Sequence, residues 1–270
     1  MTVINTNVSA LRAQNGSRMA DAALSQAMQR LSSGKRINSA QDDAAGLAIA
    51  NSMTSQITGM NQAIRNSNDG ISMAQTADGA LSEVTNMLQR IRELAVEASS
   101  GTYSSSDKTN LQSEVSQLAS QITSVTSNTK FNGIALFSGA AGSSGTVTIQ
   151  TGASASDTVD MDFTQLDLSA VSSVDLTTGA SAALTSVDTL IGTVSGKQAK
   201  FGAAESRLNS VVNNLTSNVT NLSQARSQIQ DADYSTETSA LAKAQILSQA
   251  STAMLAQANQ SSQNVLTLLK

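Results

Sequence analysis

Residues 201–229 read FGAAESRLNSVVNNLTSNVTNLSQARSQI. Phe201, Ala204, Leu208, Val211, Leu215, Asn218, Leu222, Ala225 and Ile229 recur at alternating steps of three and four. A mostly apolar repeat of that period, kept for four heptads, is the seam of a helix lying at a shallow angle along another helix. Asn218 interrupts it, either fixing register or, as preferred here, facing solvent. The same spacing returns in Ile4, Val8, Leu11 and in Leu24, Met28, Leu31. It continues through Ile57, Met60, Ile64, then Ile71, Ala74, Leu81, Val84, Leu88, Ile91, Ala95 and Ala98. Leu111, Val115, Leu118, Ile122 and Val125 complete the set. Helices are therefore expected on both flanks of the chain.

The breaks divide them. Gly34, after Ser32-Ser33 and beside Lys35 and Arg36, ends the first helical pattern. Ser39-Ala40-Gln41-Asp42 fits a capping box that opens the next. Gly101 and the polar run to Asp107 read as a turn between antiparallel helices. From Ser138 to about Gly179 the period changes. Thr146–Gln150 and Thr158–Phe163 alternate apolar with polar around Gly152-Ala153-Ser154, which predicts a β-hairpin. The fold class is mainly α: long antiparallel, coiled-coil-like helices with a small β-hairpin insertion.

Composition narrows the chemistry. The 270 residues include no His, Cys, Pro or Trp, and the formal charge is −4. Lacking His and Cys, the chain has no Ser-His-Asp triad, thiol nucleophile, disulfide or ordinary zinc site, so no enzyme and no cofactor is expected. An acidic balance argues against nucleic acid. No run is apolar enough to span a membrane, and the first residues, MTVINTNVSALRAQ, lack the basic and apolar regions of a secretory signal. Taken alone, that reads as cytoplasmic. Charged residues are 13%, about half the usual ~25%. Ser, Thr, Asn, Gln and Ala flank the seams instead. Burying neutral hydroxyls and amides that find partners costs little, so the helices look built to pack against copies of the same chain.

Several local patterns resolve to plain structure. Ser105-Ser106-Asp107-Lys108 has the S-x-x-K spacing but neither partner motif, and reads as a capped helix start. The glycine-rich 139–145 lacks the Lys-Ser/Thr ending of a phosphate loop. Asp160 and Asp162, alternating with Val159, Met161 and Phe163, read as a solvated strand face rather than a calcium site. The Asn-x-Ser/Thr triplets at Asn214 and Asn218 fall inside helix patterns.

Longer strings carry a resemblance. QRLSSGKRINSAQDDAAGLAIA at 29–50, RNSNDGIS at 65–72 and Phe131-Asn132-Gly133 resemble the N-terminal core of bacterial flagellin. DADYSTE at 231–237, AQIL at 244–247 and the terminal AQANQSSQNVLTLLK resemble its C-terminal core. The likeness covers about 1–137 and 185–270, leaving a short middle with no room for large outer domains. It implies a subunit that polymerises into the flagellar filament after type III export, which replaces the cytoplasmic reading. Residues 1–42 with 231–270 would form a tube-lining domain of paired terminal helices. Residues 43–137 with 185–230 would form a helical rod, and 138–184 a hairpin and variable loop. The implied partners are further copies of the chain, the flagellar cap and hook-junction proteins and an export chaperone. A hook–filament junction adaptor is the alternative. On this reading Ile4, Val8, Leu11, Leu24, Met28, Leu31, Asp42, Asp43, Leu247, Val265, Leu266, Leu268 and Leu269 serve polymerisation and terminal packing.

The segment Leu88–Leu94, LQRIREL, also matches the family motif read by the flagellin-sensing Toll-like receptor. Gln89, Arg90, Leu94 and Glu114 stand at matching positions, with Glu97 where other members often have Gln. The seam takes Leu88, Ile91 and Ala95, so Gln89 and Arg90 are expected outward and Leu94 on the flank. Val265, Leu266, Leu268 and Leu269 also resemble the tail sensed by cytosolic inflammasome receptors.

Overall fold

The computed structural model describes residues 6–267, with side chains through 262. Helices α1 (Val8–Ser33), α2 (Ala44–Ala98), α3 (Ser105–Asn128), α4 (Ala180–Gln230) and α5 (Tyr234–Thr267) carry most of it. Strands β1 (Lys130–Phe131) and β2 (Ile134–Ala135) pair antiparallel, as do β3 (Thr146–Gln150) and β4 (Thr158–Asp162). The fold is mainly α with the small hairpin insertion.

The helix ends follow from local chemistry. Gly34, at φ +69°, closes α1 in the left-handed conformation that a side chain would oppose. Ser104 and Asp107 form a reciprocal capping box at α3. The expected box at Ser39–Asp42 is corrected. Asp42 instead closes a turn, its Oδ2 accepting from the amides of Asn38 and Ser39 at 3.0 and 2.9 Å. The cap of α2 is Asp43, whose Oδ1 accepts from the Gly46 amide at 2.8 Å. The spacing that suggests a box occurs equally in a turn when the intervening backbone is not helical.

Two compact units emerge. The larger spans Gln56–Thr220. In α2, Ala74, Ala77, Leu81, Val84, Leu88, Ile91, Ala95 and Ala98 are all fully buried and alternate by three and four. They meet Val115, Ala119 and Ile122 of α3 and Val187, Leu190, Val194, Phe201 and Leu208 of α4. A second stripe runs at steps of seven through Met73, Ala80, Met87 and Leu94. It exists because α2 faces two helices: Arg90 pairs with Glu114 of α3, and Arg92 with Asp188 of α4. The buried face is therefore wider than a single coiled-coil seam. Leu94, expected on the flank, is 1% exposed and belongs to the core.

The predicted hairpin pairs Thr146 with Asp162 through Gln150 with Thr158. It lies against α2, where Asn66 Nδ2 donates to the Gln150 carbonyl at 3.2 Å and Ile149 packs over Gly70. Phe163, just past β4, stacks on Phe201 with ring centroids 5.0 Å apart. The solvated-face reading holds for Asp160, which accepts from Thr148 Oγ1. It fails for Asp162, which binds Lys197 and Lys200 of α4 at 2.9 and 2.8 Å. The β1–β2 hairpin turns through Asn132 and Gly133, both at positive φ, the conformation Asn-Gly favours.

The smaller unit combines Met1–Ser55 with Asn221–Lys270. Its buried apolar side chains in α1 and α5 are small, Ala20, Ala27, Ala244 and Ala258, with Glu237 of α5 also buried and Ile37 sealing the turn that follows α1. Throughout the helices, hydroxyls bond back to carbonyls one turn earlier, as in Thr85 to Leu81, Ser116 to Gln112 and Thr216 to Val212.

Candidate functional site

Two surfaces hold the residues singled out by sequence. The first is the terminal helix pair. Helices α1 and α5 run antiparallel, pinned at intervals by polar contacts. Asn7 caps α1 through Oδ1 and reaches across with Nδ2 to the Ala258 carbonyl and Ser262 Oγ, at 3.0 and 2.9 Å. Ser248 Oγ donates to Asp21 at 2.9 Å. Arg30 Nη1 donates to Glu237 Oε1 at 3.1 Å, a pair with the carboxylate nearly enclosed. Gly16 lets Ser251 approach, since a Cβ there would sit 3.3 Å from its hydroxyl. At the far end Arg36 bonds the carbonyls of Gln230 and Ile229, while Ala232 N donates to Gly34 O at 3.0 Å.

This zipper uses mostly small and polar groups, which leaves several of the larger apolar side chains outside it. Leu24 and Leu31 are half-buried. Val8, Leu11, Met28 and Leu247 are exposed, as are Met19, Ile246 and Met254. Val8, Leu11 and Met19 fall on one outward stripe of α1, and Leu247, Ala250 and Met254 on one of α5. A groove between the helices is lined by Ser9, Arg12, Ala13, Gly16, Ala250 and Met254, among others. Ile4, Leu268 and Leu269 lie outside the described residues, as do the side chains of Val265 and Leu266. Asp42 and Asp43 sit in the turn after α1, and hydrogen bonds from the Ser39 and Asn38 amides hold the Asp42 carboxyl below its ordinary range. Asp233, read by sequence only as part of a string, caps α5 through the Ser235 amide and Thr236 hydroxyl.

The second surface is on α2 and α3. Arg90 Nε donates to Glu114 Oε1 at 2.8 Å and Nη1 to Glu93 Oε2 at 3.1 Å. These two carboxylates, Glu114 first, raise the guanidinium's already high pKa. Gln89 stands exposed beside it. The structure brings Gln89, Arg90 and Glu114 together on the surface and puts Leu94 beneath them. The signal that would have placed Leu94 is the seven-residue recurrence of Met73, Ala80 and Met87, present in the sequence.

Among the described residues no three His, Cys, Asp or Glu side chains gather as a metal site, and no helix is long and apolar enough to cross a membrane.

Comparison with known proteins meets this arrangement directly. The family model for the bacterial flagellin N-terminal helical region matches residues 4–142, and that for the C-terminal helical region matches 184–269. A flagellin of Halalkalibacterium halodurans is 42% identical, covering 99% of this chain and 100% of its own. One of Bacillus subtilis is 40% identical, with 99% of each covered. The crystal structure of Bacillus cereus flagellin aligns at TM-score 0.51 and 31% identity, over 60% of this chain and 94% of that one. A putative flagellar hook-associated protein from Vibrio parahaemolyticus aligns at TM-score 0.61 over 70% of this chain and 100% of its own, but at 15% identity the likeness is one of fold. With both helical regions matched in order and relatives alike from end to end, the chain belongs to the bacterial flagellin family, the structural subunits that polymerise into the flagellar filament.

Proposed function

We propose that the outward faces of α1 and α5 are the surfaces through which copies of this subunit join. The observation that carries this reading is a mismatch between core and surface. Of the twelve large apolar side chains exposed among the described residues, nine lie in the smaller unit: Val8, Leu11, Met19, Met28, Ile49, Tyr234, Ile246, Leu247 and Met254. That unit's own helix contact is lined with alanine. Covering such side chains is worth about 1.5–3 kcal/mol each, a gain the isolated subunit forgoes. Residues 1–42 with 231–270 are then the tube-lining part, 43–137 with 185–230 the helical rod, and 138–184 the β-hairpin and variable loop insertion.

The subunit reaches its place outside the cell by flagellar type III export, meeting an export chaperone, the hook-junction proteins and the cap on the way. Gln89, Arg90 and Glu114 form the surface offered to the flagellin-sensing Toll-like receptor, with Leu94 shaping it from below. The test of the assembly reading is a pair of polar replacements, Leu11→Ser with Leu247→Ser. The doubly substituted monomer should keep its circular dichroism and melting profile, because neither site is buried, yet fail to extend seeds in a sedimentation assay. Normal filaments from this variant would overturn the reading.

A further inference from the structure

The chain has nine methionines and no Cys, His or Trp, so methionine is its principal target for mild oxidants. Eight methionines lie among the described residues, and they divide sharply by unit. In the larger unit Met73 and Met161 are buried, at 4% and 0% exposure, and Met60 and Met87 are half-buried. In the smaller unit only Met53 is half-buried, while Met19, Met28 and Met254 are 75%, 58% and 64% exposed. These three stand on α1 and α5, outside the alanine contact between them. Met254 also lines the groove beside Gly16 and Arg12.

We propose that Met19, Met28 and Met254 form a redox-sensitive lock on assembly, set by oxidation to sulfoxide in the free subunit. The proposal rests on the reading that the outward faces of α1 and α5 carry the subunit contacts. The oxidant is a peroxide. A thioether lone pair attacks one oxygen of hydrogen peroxide, the O–O bond breaks, and the sulfur loses two electrons as the S–O bond forms. The second oxygen takes up the transferred proton and leaves as water. A flexible, polarisable apolar side chain thereby gains a strong dipole and a new acceptor. In the free subunit the sulfoxide is hydrated at no cost. Under a second copy it must find a donor or remain unsatisfied. Nothing in the alanine contact changes, so the oxidised subunit keeps its own fold. The modification is reversible by sulfoxide reduction, which distinguishes a lock from damage.

The experiment compares free subunit with seeded filaments. Both are treated with graded hydrogen peroxide, sulfoxides are mapped by peptide mass spectrometry, and polymerised mass is measured by sedimentation. In the free subunit Met19, Met28 and Met254 should oxidise ahead of Met73 and Met161, and seeded assembly should fall in step. The concentration needed for assembly should rise by about tenfold for each sulfoxide left unpaired. Treatment with sulfoxide reductases acting on both epimers should restore assembly. The triple variant M19L/M28L/M254L should assemble after the same peroxide exposure.

Full oxidation of the three with undiminished assembly would overturn the lock while sparing the assembly surface. Loss of assembly in the peroxide-treated triple variant, equal to that of the parent, would overturn it too. If that variant does not assemble even untreated, reductase recovery of the parent decides: recovery supports the lock and its absence refutes it. In filaments the three sites should oxidise more slowly than in free subunit. Equal rates would refute the assembly surface itself, and the lock with it.

Discussion

Leu94 and Arg90 are four residues apart on α2, yet they answer to different physics. Leu94 is enclosed by the helices of the larger unit, so Leu94→Ala removes buried methyl groups and leaves a cavity. The expected loss is about 2–5 kcal/mol, read as a clear fall in the melting temperature of the monomer. Arg90 is half exposed, and its pairs with Glu114 and Glu93 stay in contact with water. Arg90→Ala should change stability by about 0.5 kcal/mol or less. The two effects can thus be separated: reporter-cell signalling by Arg90→Ala tests the receptor surface on an intact fold, which a double substitution with Leu94 would not. A sharp drop in the Arg90→Ala melt would show that its ion pairs matter more to the fold than their exposure implies. The seam residues Leu88, Ile91 and Ala95 were legible because one face of a helix repeats every three and four residues. Leu94 lies off that stripe and is buried all the same, because α2 presents two apolar stripes rather than one. On α1 the buried positions are the alanines Ala20 and Ala27, while Val8, Leu11 and Met28 of the same helix stay exposed.

Elements were legible in proportion to their length. Strands β3 and β4 show two-residue alternation over five positions each, enough to reveal their pairing. Strands β1 and β2 have two residues each, too few for any period, and the Asn132-Gly133 turn between them enters the sequence reading only as part of a family string. What fastens β4 to α4 was illegible, because Lys197 and Lys200 lie far along the chain from Asp162. Partial burial works against ionisation of Asp162, but hydrogen bonds from both lysines and Thr164 outweigh it and hold the carboxyl far below its usual range. A depressed carboxyl pKa adds stability that is complete above the unfolded value, near ~3.9, and fades as pH falls below it. The larger unit should therefore melt at lower temperature as pH drops from about 5 toward 2. Asp162→Asn should cost about 1 kcal/mol or less at neutral pH and shrink that acid-induced fall. An unchanged acid profile in the variant would mean the hairpin is held by its apolar face alone.

At the scale of the whole molecule, the contrast is between a unit with a continuous apolar core and one closed by alanines and a few polar pins. The monomer should unfold in two steps, the smaller unit first, as followed by calorimetry. Deleting residues 231–270 removes the partner of α1, so it should abolish the first transition and seeded polymerisation while leaving the second transition in place. A single unaltered transition, or intact filaments, would count against this division. The back-bonded hydroxyls of the helices have a further consequence for the solvent that filaments tolerate. Faces made of alanine, methionine and self-satisfied serine and threonine bring few ions into a subunit contact, so there is little Coulomb attraction for dissolved salt to screen. Raising sodium chloride from dilute to near-molar should leave filament length almost unchanged. Cooling should shorten filaments, because the attraction that remains is hydrophobic and weakens in the cold.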